Sequence, residues 1–138
     1  MTVVRRGESR DLGAIFGIQA ACPEAAKWDP TQYLTFDLLV AASGIHVVGF
    51  LVGRTLLPCE HEILNLAVAP DYRRQGVGRS LLCAYLEASQ GAVFLEVRPS
   101  NQAARAFYKS FGFEEVTVRP GYYENPSEPA IVMKFHSC

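Results

Sequence analysis

Hydrophobic and polar residues in the first third of the chain follow spacings that predict a strand and two helices. Weak alternation over Thr2–Arg6 predicts the first strand. Ser9 is a candidate N-cap for a helix that ends before Pro23. Asp29, followed by a proline, favours a second, short helix through Leu34. The positions at helical spacing in the first helix are Leu12, Ile15, Phe16 and Gln19.

Longer apolar stretches in the middle of the chain predict a hairpin, a further strand and a longer helix. Asp37–Ala42 and Ile45–Leu57 flank a Ser-Gly turn signal and form the hairpin. Glu60–Val68 follows as a strand, and a helix begins at Gly76. The apolar residues expected on that helix are Val77, Leu81, Leu82, Tyr85 and Leu86.

The last third of the chain predicts a strand, a helix and two final strands. The short apolar run Val93–Val97 is typical of a strand covered on both faces. Asn101–Phe111 has helical spacing and ends at Gly112, a residue favoured just beyond a helix. Phe113–Val118 and Ala130–Phe135 complete the series. This order predicts a mixed α/β or α+β sheet.

The composition of the 138-residue chain fits one globular domain over residues 1–138 and excludes several classes of protein. Hydrophobic residues make up 49% and charged residues 20%, which disfavours a disordered tail. The net charge of −1 argues against nucleic-acid binding through bulk charge. The apolar runs are shorter than the roughly 18 residues of a membrane span, and no signal peptide is visible. We therefore expect a soluble, cytoplasmic protein.

The cysteines indicate neither a metal site nor a disulfide framework. None forms a CxxC pair, so zinc binding has no support and no metal is expected. A cytoplasmic chain with an adequate core has no need of disulfides. We expect four reduced thiols, with Cys83 buried on a helix. The four are Cys22, Cys59, Cys83 and Cys138.

A glycine- and arginine-rich turn between a strand and a helix predicts an anion-binding site. Gly76 and Gly78 leave backbone amides uncovered, and the helix N-terminus adds about half a positive charge. Arg73, Arg74 and Arg79 add three formal charges nearby. A pyrophosphate is the natural ligand. A Walker A loop would need a lysine that is missing, and a Rossmann fingerprint would need a third glycine.

The hexapeptide Arg73–Gly78 resembles the R/Q-x-x-G-x-G/A motif of the GNAT family of N-acetyltransferases, which binds the pyrophosphate of acetyl-CoA there. Phe94–Asn101 and the positions that follow it resemble the LEVRxSNxxAxxxYxxxGF signature of the RimI-type protein N-terminal acetyltransferases. With Asn65–Val68, the resemblance covers about residues 60–135, whereas residues 1–58 match in layout alone. It implies the acyl-CoA N-acyltransferase fold, with a mostly antiparallel central sheet and helices on both faces.

The resemblance also implies which residues bind acetyl-CoA. The backbone of the strand before the turn would hold the thioester, and the turn would hold the pyrophosphate. The asparagine at the start of the next helix would contact the cofactor, although it also suits an ordinary helix cap. The implied cofactor-binding residues are Leu66, Ala67, Val68, Arg73, Arg74, Gln75, Gly76, Val77, Gly78, Arg79 and Asn101.

Two residues are implied to move protons. Glu96 lies in an otherwise apolar strand, and a desolvated carboxylate suits a general base. Pairing with Arg98 or another base would instead make it structural. The resemblance assigns the general base to Glu96 and the general acid, which protonates the departing CoA thiolate, to Tyr108. A tyrosine on the apolar stripe of a helix is otherwise a core residue.

Three further candidates lie outside these motifs. Glu60 and Glu62 share one face of their strand and are the reserve candidates for the base, with a solvated strand end as the alternative. The loop that begins at Arg119 resembles the RxxYY element of the family, which borders the acceptor-peptide groove. The alternative is an ordinary exposed loop.

The implied reaction is direct transfer of an acetyl group from acetyl-CoA to an amine. The leading acceptor is the N-terminal α-amine of a protein or peptide, such as a ribosomal protein, and no nucleic acid or membrane is expected as a partner. A small-molecule amine is the alternative acceptor. A CoA-sensing module without turnover is a further alternative, but it would need neither Glu96 nor Tyr108. No cysteine lies in a motif that would make it an acyl carrier.

Overall fold

The computed structural model describes residues 2–23, 25, 28–123 and 128–137. The chain divides into two compact units. The first unit comprises Met1–Arg54 and Ile63–Ala88, and the second comprises Thr55–Glu62 and Ser89–Cys138. A single catalytic domain over residues 1–138 therefore stays a prediction.

Seven strands and three α-helices are present in the described residues. The strands are β1 Thr2–Arg6, β2 Asp37–Ser43, β3 His46–Leu57, β4 Glu60–Val68, β5 Gly91–Val97, β6 Glu114–Tyr123 and β7 Glu128–Ser137. The α-helices are α1 Leu12–Ala21, α2 Val77–Ala88 and α3 Gln102–Ser110, and short 3₁₀ helices span Ser9–Asp11, Pro30–Thr35 and Pro70–Tyr72. None of the helices in this part of the chain has the length and hydropathy that a membrane span requires.

The strands of the first unit lie in the order β1-β2-β3-β4. Both β1 with β2 and β2 with β3 pair in the antiparallel direction, as the predicted hairpin requires. The core of this unit places α1 and the 3₁₀ helix Pro30–Thr35 against the sheet. Each large side chain buried in such a core contributes about 1.5–3 kcal/mol. The central core residues are Ile15, Ile18, Tyr33, Val40, Phe50 and Val52.

The start of α1 differs from the prediction. Ser9 does not cap it: Glu8 and Asp11 form a capping box around the preceding 3₁₀ turn, with Glu8 N donating to Asp11 Oδ2 at 2.8 Å. The helix begins only at Leu12, and its buried positions include Ile18. Phe16 was expected on the apolar stripe but is 48% exposed. The expected helix after Asp29 is capped as predicted, but it is a 3₁₀ helix.

The three cysteines among the described residues, Cys22, Cys59 and Cys83, form no disulfide, but the burial prediction was wrong for Cys83. The apolar face of α2 holds the five predicted residues, including Leu82 and Leu86. Cys83 follows Leu82 directly, so helical geometry turns its side chain toward solvent, and it is exposed. The buried thiol is Cys22, which is 1% exposed. Cys138 lies outside the described residues.

The strands of the second unit that follow α2 lie in the order β5-β7-β6, and both pairings are antiparallel. Aromatic rings pack around α3, with Tyr108 5.4 Å from Phe113 and Phe113 5.3 Å from Phe135 between ring centroids. The strand β6 is longer than predicted. Arg119 and the residues up to Tyr123 belong to it, so the expected loop is shorter, and Glu124 lies outside the described residues.

The short connection after α2 depends on a glycine. Gly91 has a φ of +93°, and a Cβ at this position would lie 2.1 Å from the carbonyl oxygen of Cys59. The next residue, Ala92, donates its amide hydrogen to that oxygen at 2.8 Å. Both the backbone conformation and the close approach therefore require glycine. The contact fixes the start of β5, the strand that carries Glu96.

Candidate active site

The end of β4 carries the three residues expected to hold the thioester. Ala67 is buried, whereas Leu66 and Val68 are half-buried on the other face of the strand. The carbonyl oxygen of Val68 accepts a hydrogen bond from the thiol of Cys22 at 3.4 Å, and Ala69 N donates to Val48 O at 2.8 Å. The backbone at this strand end is thus held by Cys22, which directly follows α1, and by Val48 of β3, both within the first unit.

The turn after β4 is defined by two positive φ angles and by the start of α2. Arg74 has a φ of +64° and Gly76 a φ of +79°, so two of the three consecutive residues 74–76 adopt the left-handed backbone conformation. The hydrogen bond from Ser80 N to Gly76 O is 2.9 Å long. Helical bonding thus begins at Ser80, and the amides of Val77, Gly78 and Arg79 belong to the first turn, where helix geometry provides no intrahelical acceptor.

The side chains of this turn are mostly exposed and basic. Arg74 and Arg79 are exposed, and Gly76 has no heavy atom within 4 Å of a Cβ built on it. Arg73 donates from Nη2 to Cys22 Sγ at 3.4 Å. Gln75 donates from Nε2 to Asp71 O at 3.3 Å. The turn therefore offers three cationic side chains, open space and a helix N-terminus to an anion.

A buried network of neutral polar groups lies beside the same strand. Asn65 Nδ2 donates to Gln19 Oε1 and to the hydroxyl of Tyr33, both at 3.2 Å, and Tyr33 donates to Gln19 Oε1 at 2.5 Å. Asn65 Oδ1 accepts from Leu66 N at 3.0 Å, and Gln19 Nε2 donates to Trp28 O at 2.6 Å. Burial raises the pKa of Tyr33, so its hydroxyl stays a donor at neutral pH. No local pattern in the sequence indicated this network.

The carboxylate of Glu96 is in the second unit, on β5, and is 13% exposed. Its Oε1 accepts from Arg119 Nη1 at 2.5 Å. Its Oε2 is buried and has no hydrogen-bond partner among the described residues. The alternative partner considered from the sequence, Arg98, pairs with Glu128 at 3.1 Å. Arg119 is thus the partner of Glu96, and nothing in the spacing of the sequence indicated it.

Two more candidates of the second unit are Tyr108, on α3, and Asn101, the residue that precedes this helix. Tyr108 is buried, and its ring packs edge-on against Phe107 at 5.3 Å between centroids. Asn101 caps the helix, since its Oδ1 accepts from Ala104 N at 3.1 Å. The capping function foreseen for Asn101 is therefore present, and contact with a cofactor stays a prediction.

The reserve candidates for the base are half-buried at the start of β4. Glu60 and Glu62 flank His61, whose ring has a structural role within the second unit. One ring nitrogen, Nδ1, lies 3.2 Å from Thr55 Oγ1, and the other, Nε2, lies 3.1 Å from Gln90 O. Both nitrogens of His61 are thus engaged.

Residues 13–113 match the family model described as the acetyltransferase (GNAT) family. Because the match covers well over half of the chain, this chain belongs to that family, and the resemblance found from the motifs is confirmed. It is an acetyltransferase, and acetyl-CoA is the co-substrate that its family implies. Family membership favours an enzyme over a CoA-sensing module.

The chain is similar to several curated acetyltransferases. A ribosomal protein bS18-alanine N-acetyltransferase of Escherichia coli is 34% identical, over 96% of this chain and 96% of its own. An N-alpha-acetyltransferase RimI of Mycobacterium tuberculosis is 36% identical, over 77% of this chain and 75% of its own. An uncharacterized protein of Mycobacterium leprae is 43% identical over 101 residues, and the alignment spans 72% of this chain and 27% of that protein.

Solved structures confirm the predicted fold. The crystal structure of the E. coli alanine N-acetyltransferase superposes with a TM-score of 0.86 and 31% identity, covering 99% of this chain and 94% of that one. The fold is therefore that of the acyl-CoA N-acyltransferases, as expected.

Proposed function

We propose that this enzyme transfers the acetyl group of acetyl-CoA to the α-amine of a protein N-terminus, and that it works in the cytoplasm. The observation that carries the proposal is the similarity to the alanine N-acetyltransferase of E. coli, which extends over 96% of both chains. A ribosomal protein is the first acceptor to consider, because that relative is named for one. The single-domain organisation over residues 1–138 belongs to the same proposal.

The turn after β4 is the proposed pyrophosphate site. Three arginines, the positive φ of Gly76 and the open space at its Cβ position support a close approach of phosphate to the backbone. The backbone at Leu66 and Val68 is proposed to polarise the thioester carbonyl, as an oxyanion hole does. The full proposed set is Leu66, Ala67, Val68, Arg73, Arg74, Gln75, Gly76, Val77, Gly78, Arg79 and Asn101, and no metal is required.

The proposed proton path uses two residues. Glu96 accepts a proton from the acceptor ammonium, directly or through a water, and the neutral amine attacks the thioester. The C–N bond forms and the C–S bond breaks, and Tyr108 donates its phenolic proton to the departing thiolate. The nitrogen loses its second proton as the amide forms, and that proton returns Tyr108 to the phenol. A phenol of reference pKa about 10 is protonated at neutral pH and can do this.

An α-amine suits this mechanism better than a lysine side chain. The reference pKa of an α-amine is about 7.7–8.0, whereas that of lysine is about 10.4, so deprotonation at neutral pH requires far less free energy. A carboxylate base is adequate to deprotonate an α-amine. The chemistry of the site therefore favours N-termini over internal lysines.

A panel assay tests the proposed acceptor. The purified enzyme and acetyl-CoA are incubated with peptides that begin with alanine or other residues, with the same peptides blocked at the α-amine but carrying a lysine, and with polyamines. Mass spectrometry identifies each product. We expect acetylation of free α-amines and little of the blocked peptides. Acetylation of the polyamines without acetylation of any peptide would instead identify the enzyme as a small-molecule acetyltransferase.

A further inference from the structure

We propose that Arg119 is a positioning residue for the general base: it binds Oε1 of Glu96 and so leaves Oε2 as the oxygen that accepts the proton. The proposal rests on the proposed base role of Glu96. The proposed role of Arg119 is exerted through the carboxylate that it holds and needs no contact with the substrate.

The strand register explains how the two residues meet. In the order β5-β7-β6, Glu96 lies opposite Val132 of β7, and Arg119 lies opposite Ala130. Residues two apart on a strand share a face, so Ala130 and Val132 place Glu96 and Arg119 on the same face of the sheet. Arg119 reaches Glu96 across β7.

A β-bulge in β6 makes this alignment possible. Glu115 pairs with Met133, but Thr117 pairs with Val132, so Val116 is an extra residue. If β6 had no bulge and Val116 paired with Val132, Arg119 would lie one position further along β7, opposite Pro129, and its side chain would point to the opposite face. The bulge therefore turns Arg119 toward Glu96.

The reach and the packing both favour arginine. Two strand spacings amount to about 10 Å, which suits the longest cationic side chain. Ala130, which is fully buried, has only a methyl group between the two strands. Arg119 is 55% exposed along its side chain, whereas Glu96 is 13% exposed. The cation thus reaches the buried carboxylate from the solvent side.

The other ion pairs of this unit show how a structural carboxylate is bound. Glu115 uses both oxygens, with Oε2 accepting from Arg105 Nε at 2.9 Å and Oε1 from Arg105 Nη2 at 3.4 Å. Glu128 also uses both, with Oε2 accepting from Arg98 at 3.1 Å and Oε1 from Ser100 N at 3.2 Å.

Glu96 departs from this pattern, because only its Oε1 has a partner among the described residues. A buried polar atom without a partner is rare and calls for an explanation. A carboxylate held by one oxygen, with the other available to accept a proton, provides one.

A double-mutant cycle tests the proposal. The variants are Arg119→Gln, Arg119→Lys, Glu96→Gln and the double change with glutamine at both positions, with Arg105→Gln as a control that breaks a comparable ion pair elsewhere in the unit. We expect Arg119→Gln to lower kcat about 10–100-fold, as misplacement of a reacting group does, with the KM for acetyl-CoA within about twofold. The lysine variant should recover part of the loss. In the double variant, kcat should match that of Glu96→Gln alone.

Several outcomes would overturn the proposal. Additive losses in kcat would mean that Arg119 acts independently of Glu96. A change confined to the KM for the peptide would assign it to acceptor binding, and equal losses in Arg105→Gln would mean a general stability effect. If Arg119→Gln fails to fold, the comparison of Arg119→Lys with wild type decides the question.

The proposed function fails separately from this inference. An unchanged kcat in Glu96→Gln would contradict the assignment of Glu96 as the base, and with it the proposed role of Arg119. Acetylation of peptides by the wild-type enzyme would still support the proposed function. If the wild-type enzyme acetylated none of the peptides, the proposed function itself would be contradicted.

Discussion

Asn65 and Glu96 are both polar residues inside β-strands, but their surroundings differ. Asn65, in the first unit, uses its amide nitrogen and oxygen in hydrogen bonds to Gln19, Tyr33 and the backbone of Leu66. Glu96, in the second unit, has one oxygen paired with Arg119 and the other without a partner among the described residues. A saturated polar group stabilises a fold, whereas an unsaturated one is available for chemistry. The contrast predicts that changes at the two sites affect different properties.

The largest effect is expected at Glu96. Glu96→Gln keeps the shape of the side chain but removes its ability to accept a proton. We expect kcat to fall about 10²–10⁴-fold, with the acidic limb of the pH–rate profile flattened and thermal stability retained. Glu60→Gln and Glu62→Gln are the matched controls. Near-normal turnover in Glu96→Gln together with a collapse in either control would move the base to β4.

Removal of one hydroxyl from Tyr108 tests the other end of the proton path. Tyr108→Phe keeps the ring and its packing against Phe107 and Phe113, so folding and acetyl-CoA affinity should survive. We expect a loss of at least about 10²-fold in kcat, because only the proton donor is gone. Steady-state kinetics with a peptide acceptor measure it. A variant with normal kcat and a lowered melting temperature would make Tyr108 a core residue.

The next effect concerns binding of the co-substrate. Gly76→Asp places a carboxylate at the proposed pyrophosphate site, and we expect the acetyl-CoA Kd to rise more than about tenfold, or about 1.4 kcal/mol. Gly44→Asp is the control, because Gly44 also has a positive φ, +62°, and open space at its Cβ. Calorimetry compares the two. Unchanged affinity in Gly76→Asp would place the pyrophosphate elsewhere.

A stability effect without a catalytic one is expected at Asn65. Asn65→Leu replaces the amide with an apolar group of similar shape, and Leu66 N and Gln19 Oε1 lose their bonds to it. The expected loss in the free energy of unfolding is about 1–3 kcal/mol. Urea titration measures it, and kcat should change less than the Glu96 variant changes it. A larger effect on kcat than on the free energy of unfolding would contradict the view that Asn65 stabilises the fold whereas Glu96 acts in catalysis.

The smallest effect is a dependence of stability on acid. Hydrogen bonds from the Arg5 guanidinium hold the pKa of Asp11 below its usual range, against the opposing effect of burial. A carboxyl group whose pKa is lower in the folded state stabilises the fold above its unfolded pKa of about 3.9, and the contribution is lost as the pH falls below that value. Urea titrations at neutral and acidic pH should show that the free energy of unfolding declines less with falling pH in Arg5→Gln than in the wild type. If the free energy of unfolding depended on pH in the same way in both proteins, the ion pair of Arg5 and Asp11 would not be the source of the acid sensitivity.

The regular parts of the fold could be predicted from the sequence. The bounds of β1 and β4 match the predicted ranges, because alternation and flanking turn residues define strands locally. The cap at Asp29 was also predicted correctly, since Asp before Pro is a local signal. For the same reason, the turn after β4 could be located from its glycines and arginines.

The errors concern competing caps, the face of a helix on which a residue lies, and strand register. Ser9 looked like a cap, but the capping box of Glu8 and Asp11 forms instead, and Arg5 of β1 holds Asp11. Cys83 looked like a core residue by type, yet its position on α2 turns it outward. The pairing of Glu96 with Arg119 depends on a strand register, which a single sequence does not reveal.

The extra residue in β6 makes the length of this strand as important as its composition. Arg119 lies opposite Ala130 because Val116 is left out of the pairing, so a strand of the same length without the bulge would place Arg119 opposite Pro129 and turn it away from Glu96. A survey of related chains should therefore count the residues between Glu115 and Arg119 as well as compare their identities. Insertion of one residue between Thr117 and Arg119, with the bulge kept, would turn Arg119 to the opposite face and change the environment of the base as surely as a substitution at Arg119. In enzyme engineering, the spacing within this strand is a variable that point-mutation libraries leave unsampled.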